Sequence, residues 1–208
     1  MAHGNDLTAP RDFEIRDSPP PRRKDQVPSD PKTIERKAAR VRLVLFDVDG
    51  VLTDGQILVH PDGTESKSFS IRDGTAIVWA HRAGLRTGLL SARHSPATTI
   101  RAAQLGIPIV RQQRGEKLAV FEDLLREERL AGDEVAFMGD DLLDLPVLDR
   151  AGFSAAPADA DEEVRERVDW VSRCPGGRGA ARELIELVLR AQNRWSELLE
   201  GYLRGTRA

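Results

Sequence analysis

The stretch Leu43-Val44-Leu45-Phe46-Asp47-Val48-Asp49-Gly50 constrains this chain most: an apolar run ends on two carboxylates one residue apart, with a glycine behind them. A short apolar run stopped by glycine reads as a buried strand, so both acids fall at its C-terminal end, where open α/β sheets place their ligands. An acid there can attack an electrophile while a second, two positions on, supplies and removes protons. That arrangement suits covalent catalysis through an acyl-phosphate. The pair alone stays open to other readings, because such acids also cap helices, shape turns and ligate calcium.

The chain of 208 residues is long enough for one well-cored domain, or one domain and a tail. With 31 basic against 34 acidic residues and a formal net charge of -3, there is no electrostatic reason to expect nucleic acid or an anionic membrane as partner. Small molecules are the expected partners. Cys174 is the single cysteine, which excludes an internal disulfide and a multi-thiolate metal site and fits a reducing cytoplasm. Residues 1–31 hold six of the twelve prolines, and residues 1–40 read as a disordered arm that buries too little to offset its ordering entropy. The arm has no signal-peptide core, and Asp6, Asp12, Glu14 and Asp17 argue against a transit peptide. Apolar runs fall far short of the ~20 residues of a membrane helix. A soluble cytoplasmic protein is expected.

From residue 41 onward, strands expected over 41–46, 85–90, 107–110, 135–138, 153–155 and 170–171 alternate with helices over 76–83, 96–105, 117–130, 145–151, 161–167 and 179–203. This alternation predicts an α/β domain with a doubly wound, mostly parallel sheet and its crevice at the strand C-termini. Ser95-Pro96 reads as a helix cap with proline at the first helical position, while Gly84, Gly106, Gly132 and Gly152 read as helix stops. Residues 56–70, folded about Pro61-Asp62-Gly63, predict a β-hairpin beside the acidic loop: a flap, or an edge decoration. The final helix carries an apolar stripe (Leu184, Leu187, Val188, Ala191, Trp195, Leu198, Leu199, Tyr202) that outlasts the sheet it covers, and the surplus suits a subunit contact.

Three other strand ends carry residues suited to phosphate. Ser91-Ala92-Arg93 offers a hydroxyl and backbone N–H groups at a helix start, where the plainer reading is a cap. Lys117 opens a helix, where a lysine is most often a solvated charge. Gly139-Asp140-Asp141-Leu142-Leu143-Asp144 aims an acidic cluster at the same crevice; such clustering is costly unless a cation neutralises it, and oxygen-only ligands suit magnesium.

The order Asp-x-Asp, Ser, Lys, Gly-Asp-Asp-x-x-Asp over about residues 41–190 resembles the haloacid-dehalogenase-like (HAD) phosphohydrolases and implies their Rossmann-like fold. By that resemblance Asp47 is the nucleophile. Asp49 is the acid that protonates the leaving alcohol and then activates water, and it also lends its main-chain carbonyl to Mg2+. Asp140 is the main carboxylate ligand of the metal, with Asp141 or Asp144 acting directly or through water. Ser91 and Lys117 hold the phosphoryl oxygens. Dehalogenases of the superfamily lack an acid two residues past the nucleophile, so Asp49 favours a phosphatase.

Only 22 residues separate Lys117 from Asp140 and 41 separate Asp49 from Ser91, which leaves no room for the cap domain usual in the superfamily. A capless site draws its specificity from flaps or a neighbouring subunit. Residues 49–55, 69–74, 139–147 and 176–180 resemble one capless branch: the 3-deoxy-D-manno-octulosonate 8-phosphate phosphatases of lipopolysaccharide precursor synthesis and the related nonulosonate (sialic-acid-type) 9-phosphate phosphatases. That likeness implies a homotetramer whose subunits help close one another's sites. It also makes Arg93 and Arg178, then Arg72 and Lys67, candidates to hold a sugar acid's carboxylate, which arginine's planar fork suits. The Gly-rich setting of Arg178 suggests a mobile loop. Two departures stand out: Ala92 where the branch usually has glycine, and the Pro-rich arm.

Rival readings are a signalling receiver domain, whose acidic pair precedes rather than follows its phosphorylated aspartate, a non-catalytic HAD-like binding protein, and a capless protein phosphatase. His3, His60, His81 and His94 have no metal-ligand spacing, so no zinc site is expected.

Overall fold

The computed structural model describes residues 30–113 and 115–205. Helix α1 spans Pro31–Ala39, and Asp30 caps it by accepting hydrogen bonds from the Lys32 and Thr33 amides at 3.0 and 3.2 Å. Strand β1, Leu43–Phe46, is buried throughout, as a strand covered on both faces must be. Its side chains alternate: Leu43 and Leu45 enter one hydrophobic cluster, Val44 and Phe46 the other. The hairpin follows as β2 (Leu58–Val59) and β3 (Glu65–Ser66), antiparallel around the expected turn, with Gly63 at φ +83°.

The rest of the chain alternates as predicted: α2 (Ile71–Arg82), β4 (Arg86–Ser91), α3 (Pro96–Leu105), β5 (Ile109–Gln112), α4 (Lys117–Glu128), β6 (Val135–Met138), α5 (Leu145–Arg150), β7 (Phe153–Ala156), α6 (Glu162–Arg165), β8 (Trp170–Val171), α7 (Ala180–Ala191) and α8 (Trp195–Leu203). The sheet order is β5-β4-β1-β6-β7-β8, every neighbouring pair parallel. The strand order reverses at β1, which puts the crevice of a doubly wound sheet at its C-terminal end. α2, α3 and α7 share one cluster with Val44 and Phe46, while α4, α5 and α6 share the other with Leu43 and Leu45. Among the described residues no cap domain is inserted.

Several boundaries differ from the sequence reading. Residues 1–29 of the expected disordered arm lie outside the described residues. Its final part is ordered, since α1 packs on α7 and Lys37 pairs with buried Asp169 at 2.6 Å. The single C-terminal helix expected over 179–203 is two. Asn193 takes a left-handed conformation (φ 59°) between α7 and α8, and the turn brings Trp195 edge-on to Trp79 at 5.6 Å, with the Tyr202 hydroxyl accepting from Trp79 Nε1 at 2.7 Å. Part of the apolar stripe is thereby consumed within the chain, while Leu199, Tyr202 and Leu203 stay exposed. Gly106 stops α3 as expected, but Arg129 (φ 54°), not Gly132, closes α4; Gly132 and Gly152 instead meet through a main-chain bond of 2.8 Å.

Candidate active site

Asp47 follows Phe46 and so continues the face of Leu43 and Leu45, toward α4. Lys117 opens α4 on that side. Its ammonium lies 3.0 Å from Asp47 and 2.5 Å from Asp144, and all three side chains are nearly inaccessible. The solvated-charge reading of Lys117 is therefore wrong. Asp144 reaches the site from the turn after β6, where its other oxygen accepts from the amides of Asp140 and Asp141 at 2.9 and 3.3 Å. One carboxylate thus shapes the acidic turn and anchors the lysine.

Asp47, Asp140 and Asp144 each bring a carboxylate oxygen to within 4.8 Å of the others. Burial, with Asp144 adding repulsion, pushes Asp47 up to about 7 against the pull of Lys117. Asp140 is pushed up to about 8 by burial and then by Asp47, Asp144 and Asp141. Burial pulls Lys117 down, but Asp47 and Asp144 outweigh it and hold the ammonium above its ordinary range. One lysine does not neutralise this cluster. Asp140 Oδ1 is buried and accepts no hydrogen bond, and a cation beside it would give the ionised carboxylate the partner it lacks. An oxygen-only set left with Asp140 and Asp47 as its open carboxylates fits Mg2+. Asp144 is spent on Lys117 and the turn, and exposed Asp141 accepts from the Leu142 amide at 2.5 Å.

Asp49 lies in the loop after β1. Its Oδ2 accepts from Lys67 Nζ at 2.8 Å; Oδ1, 2.6 Å from the same nitrogen, is buried and accepts no hydrogen bond. The loop is stapled by Thr53, whose hydroxyl accepts from the Gly50 and Gly55 amides at 3.4 and 3.2 Å and donates to the Val48 carbonyl at 3.3 Å. Gly50, at φ +90°, presses on the Asp140 side chain: a Cβ there would stand 1.9 Å from Asp140 Oδ2. Ser91 ends β4, two residues past Leu89, which pairs with Phe46, so its hydroxyl lies at the same sheet edge as Asp47. It is buried and bonds to the main chain of Arg93 at 3.2 Å.

The carboxylate-binding candidates divide. Arg93 forms a two-point ion pair with Glu65 of the hairpin, whose carboxyl the guanidinium holds down to about 2. The Lys67 side chain is fully buried on Asp49. Arg72 and Arg178 are exposed and line a separate groove with Arg173, Cys174, Arg182, Glu183 and Glu186, whose lining includes none of Asp47, Asp49, Asp140 and Asp144. The loop holding Arg178 is tied to its surroundings by hydrogen bonds. The Gly176 amide donates to Asp159 at 2.8 Å, Gly177 to the Val51 carbonyl at 2.9 Å, and buried Asp73 accepts from Gly179 and Arg182 at 3.1 and 2.9 Å. Thr53, Asp73 and Asp159 escaped the sequence reading as site supports. Only Asp73 carried a signal, an acid three residues after the cap Ser70, and that signal points to its own helix.

Residues 90–184 match the haloacid dehalogenase-like hydrolase family. The 3-deoxy-D-manno-octulosonate 8-phosphate phosphatase of Escherichia coli K12 is 42% identical over 161 residues, 77% of this chain and 86% of that protein. A probable YrbI family phosphatase from Pseudomonas syringae superposes with a TM-score of 0.81 at 41% identity, covering 83% of this chain and 98% of that one. The Moraxella catarrhalis 3-deoxy-D-manno-octulosonate 8-phosphate phosphatase, solved with magnesium, phosphate and KDO, superposes with a TM-score of 0.81 at 33% identity over 83% and 99% of the chains. With an acidic crevice that fits magnesium, a capless sheet and this likeness along most of its length, the chain belongs to the haloacid dehalogenase-like hydrolases, in the branch of the 3-deoxy-D-manno-octulosonate 8-phosphate phosphatases.

Proposed function

We propose that the chain hydrolyses 3-deoxy-D-manno-octulosonate 8-phosphate through an aspartyl-phosphate on Asp47. The observation that carries this reading is Lys117 held between Asp47 and Asp144 at the end of β1, beside the unpartnered oxygen of Asp140. Asp47 attacks phosphorus as the ester oxygen leaves with a proton from Asp49; water then attacks the acyl-phosphate, returns a proton to Asp49 and frees Asp47 and phosphate. Lys117 offsets the repulsion between the Asp47 carboxylate and the anionic ester, and Ser91 sits where its hydroxyl can hold a phosphoryl oxygen. Mg2+, held by Asp47, Asp140 and the Asp49 carbonyl, supplies charge neutralisation of the transferring group. Asp141 and Asp144 support it from behind.

Arg93 takes the sugar acid's carboxylate once it exchanges Glu65 for substrate, with Arg72 and Arg178 serving a neighbouring subunit's site. Exposed Leu58, Val59 and Ile71 near the hairpin, with Leu199, Tyr202 and Leu203 on α8, support assembly as a homotetramer. No helix among the described residues is long and apolar enough to cross a membrane, and the single cysteine supports a cytoplasmic setting.

The test is phosphate release from 3-deoxy-D-manno-octulosonate 8-phosphate, nonulosonate 9-phosphates and hexose phosphates, with and without Mg2+, using Asp47→Asn as blank. Magnesium-dependent preference for the octulosonate ester is expected. Equal turnover of all esters, or full activity in Asp47→Asn, would overturn the reading. Light scattering checks the tetramer.

A further inference from the structure

Glu65 opens β3 and Lys67 directly follows the strand, and both reach across to the phosphatase core: Glu65 to Arg93, Lys67 to Asp49. The two contacts are unlike. Glu65–Arg93 is partly exposed, whereas the Lys67 side chain is 0% exposed, with its ammonium 2.6 and 2.8 Å from the two Asp49 oxygens and 3.5 Å from the Thr98 hydroxyl. A buried ammonium in this position has no water to compensate it and stays only while the carboxylate is opposite. The geometry at Asp49 is lopsided. Oδ2 accepts the lysine's hydrogen bond, while Oδ1, although as close, accepts none and is shielded from solvent. Both oxygens lie within ion-pair distance of one buried ammonium, which fixes how the carboxylate is turned.

We infer that Lys67 is a positioning residue for the second half of the reaction, fixing the orientation of the Asp49 carboxylate that takes the proton of the attacking water. In that step a water O–P bond forms, the bond from phosphorus to the Asp47 oxygen breaks with its electron pair returning to Asp47, and the water proton passes to Asp49. The hairpin is then part of the hydrolytic machinery and more than a cover. A lysine that held the substrate's carboxylate instead would need access to it, and this one is closed off.

The inference rests on the proposed role of Asp49, so the experiment separates the two. The full chain with Mg2+ is phosphorylated from phenyl phosphate, which has no carboxylate, and decay of the acid-trapped phosphoenzyme is followed after a chase. Lys67→Met is expected to slow decay by about tenfold or more and to raise the steady-state share of phosphoenzyme. Lys67→Gln does the same job where the methionine variant does not fold. Lys67→Arg, which restores the charge, is expected to return decay to within about threefold of the parent chain. Parent-like decay in the neutral variants, or slow decay that Arg does not restore, would overturn the inference. Slow decay in Asp49→Asn combined with parent-like decay in Lys67→Met removes the lysine's role alone. Parent-like decay in Asp49→Asn removes the reading of Asp49 and the inference with it.

Discussion

The α-carbon of Gly176 is pressed so closely on the main-chain carbonyl of Gly50 that a Cβ at 176 would stand 1.8 Å from that oxygen. The obstacle is backbone rather than a flexible side chain, and Gly50 is itself fixed against Asp140. The C-terminal glycine loop therefore sets the position of the loop that carries Asp49. Gly176→Ala is expected to cost about 1–3 kcal/mol in urea unfolding. It should also lower kcat toward phenyl phosphate by about tenfold or more, since displaced catalytic groups lose rate steeply. Unchanged kcat in a folded variant would show the two loops to be independent.

Asp73 anchors the same loop from below. Its carboxyl, which burial holds above the ordinary range, accepts from the first free amides of α7 at Gly179 and Arg182. Asp73→Ala leaves those buried donors unpaired and is expected to cost about 2–5 kcal/mol. Asp73→Asn, which keeps an acceptor oxygen, is expected to cost less than half of that. Equal losses in the two variants would place the effect in packing.

What could be read from the sequence follows from where the information lies. Asp47, Asp49, Ser91 and the acids after β6 sit at the ends of apolar runs, so strand periodicity alone delivers them to one sheet edge. The partnerships Lys67–Asp49 and Arg93–Glu65 span 18 and 28 residues and are set by how the hairpin folds back, which spacing does not encode. Both basic residues were accordingly expected to be open to substrate. Helix α1 was hidden by the prolines before it: Pro31 is the first residue of the helix, a position proline favours. The break at Asn193 was hidden because Trp195, Leu198 and Tyr202 keep helical spacing on both sides of it.

Asp144 is expected to govern metal affinity without touching the metal. It holds Lys117 with one oxygen and the Asp140 and Asp141 amides with the other, so its loss frees the lysine and loosens the turn that aims Asp140. Asp144→Ala is expected to weaken Mg2+ binding by about 10–100-fold, the usual effect of removing a supporting partner. Isothermal titration calorimetry reads this directly. Parent-like affinity would assign the aiming of Asp140 to Gly50 alone.

The same cluster makes stability depend on pH in an unusual direction. Without metal, folded Asp47 and Asp140 keep their protons to about 7 and about 8, whereas unfolded aspartates release them near ~4. Between those values the folded chain binds more protons than the unfolded one, so unfolding free energy falls as pH rises. The stabilisation present below ~4 is lost through about 7 to 8. Lys117, held above its ordinary range, acts only at higher pH. The carboxylates held low by partners, such as Glu65 on Arg93, lose their contribution only in acid, outside this window. The chelated protein is therefore expected to lose roughly 5–10 °C in Tm between pH 5.5 and 8.5. Mg2+ favours the ionised acids and should flatten the slope, with its stabilisation largest at the alkaline end. Thermal melts at fixed ionic strength, with chelator or with magnesium, check both parts. A chelated Tm that rises over this range would mean that Asp47 and Asp140 are already ionised without the metal, and that Lys117 neutralises the cluster unaided.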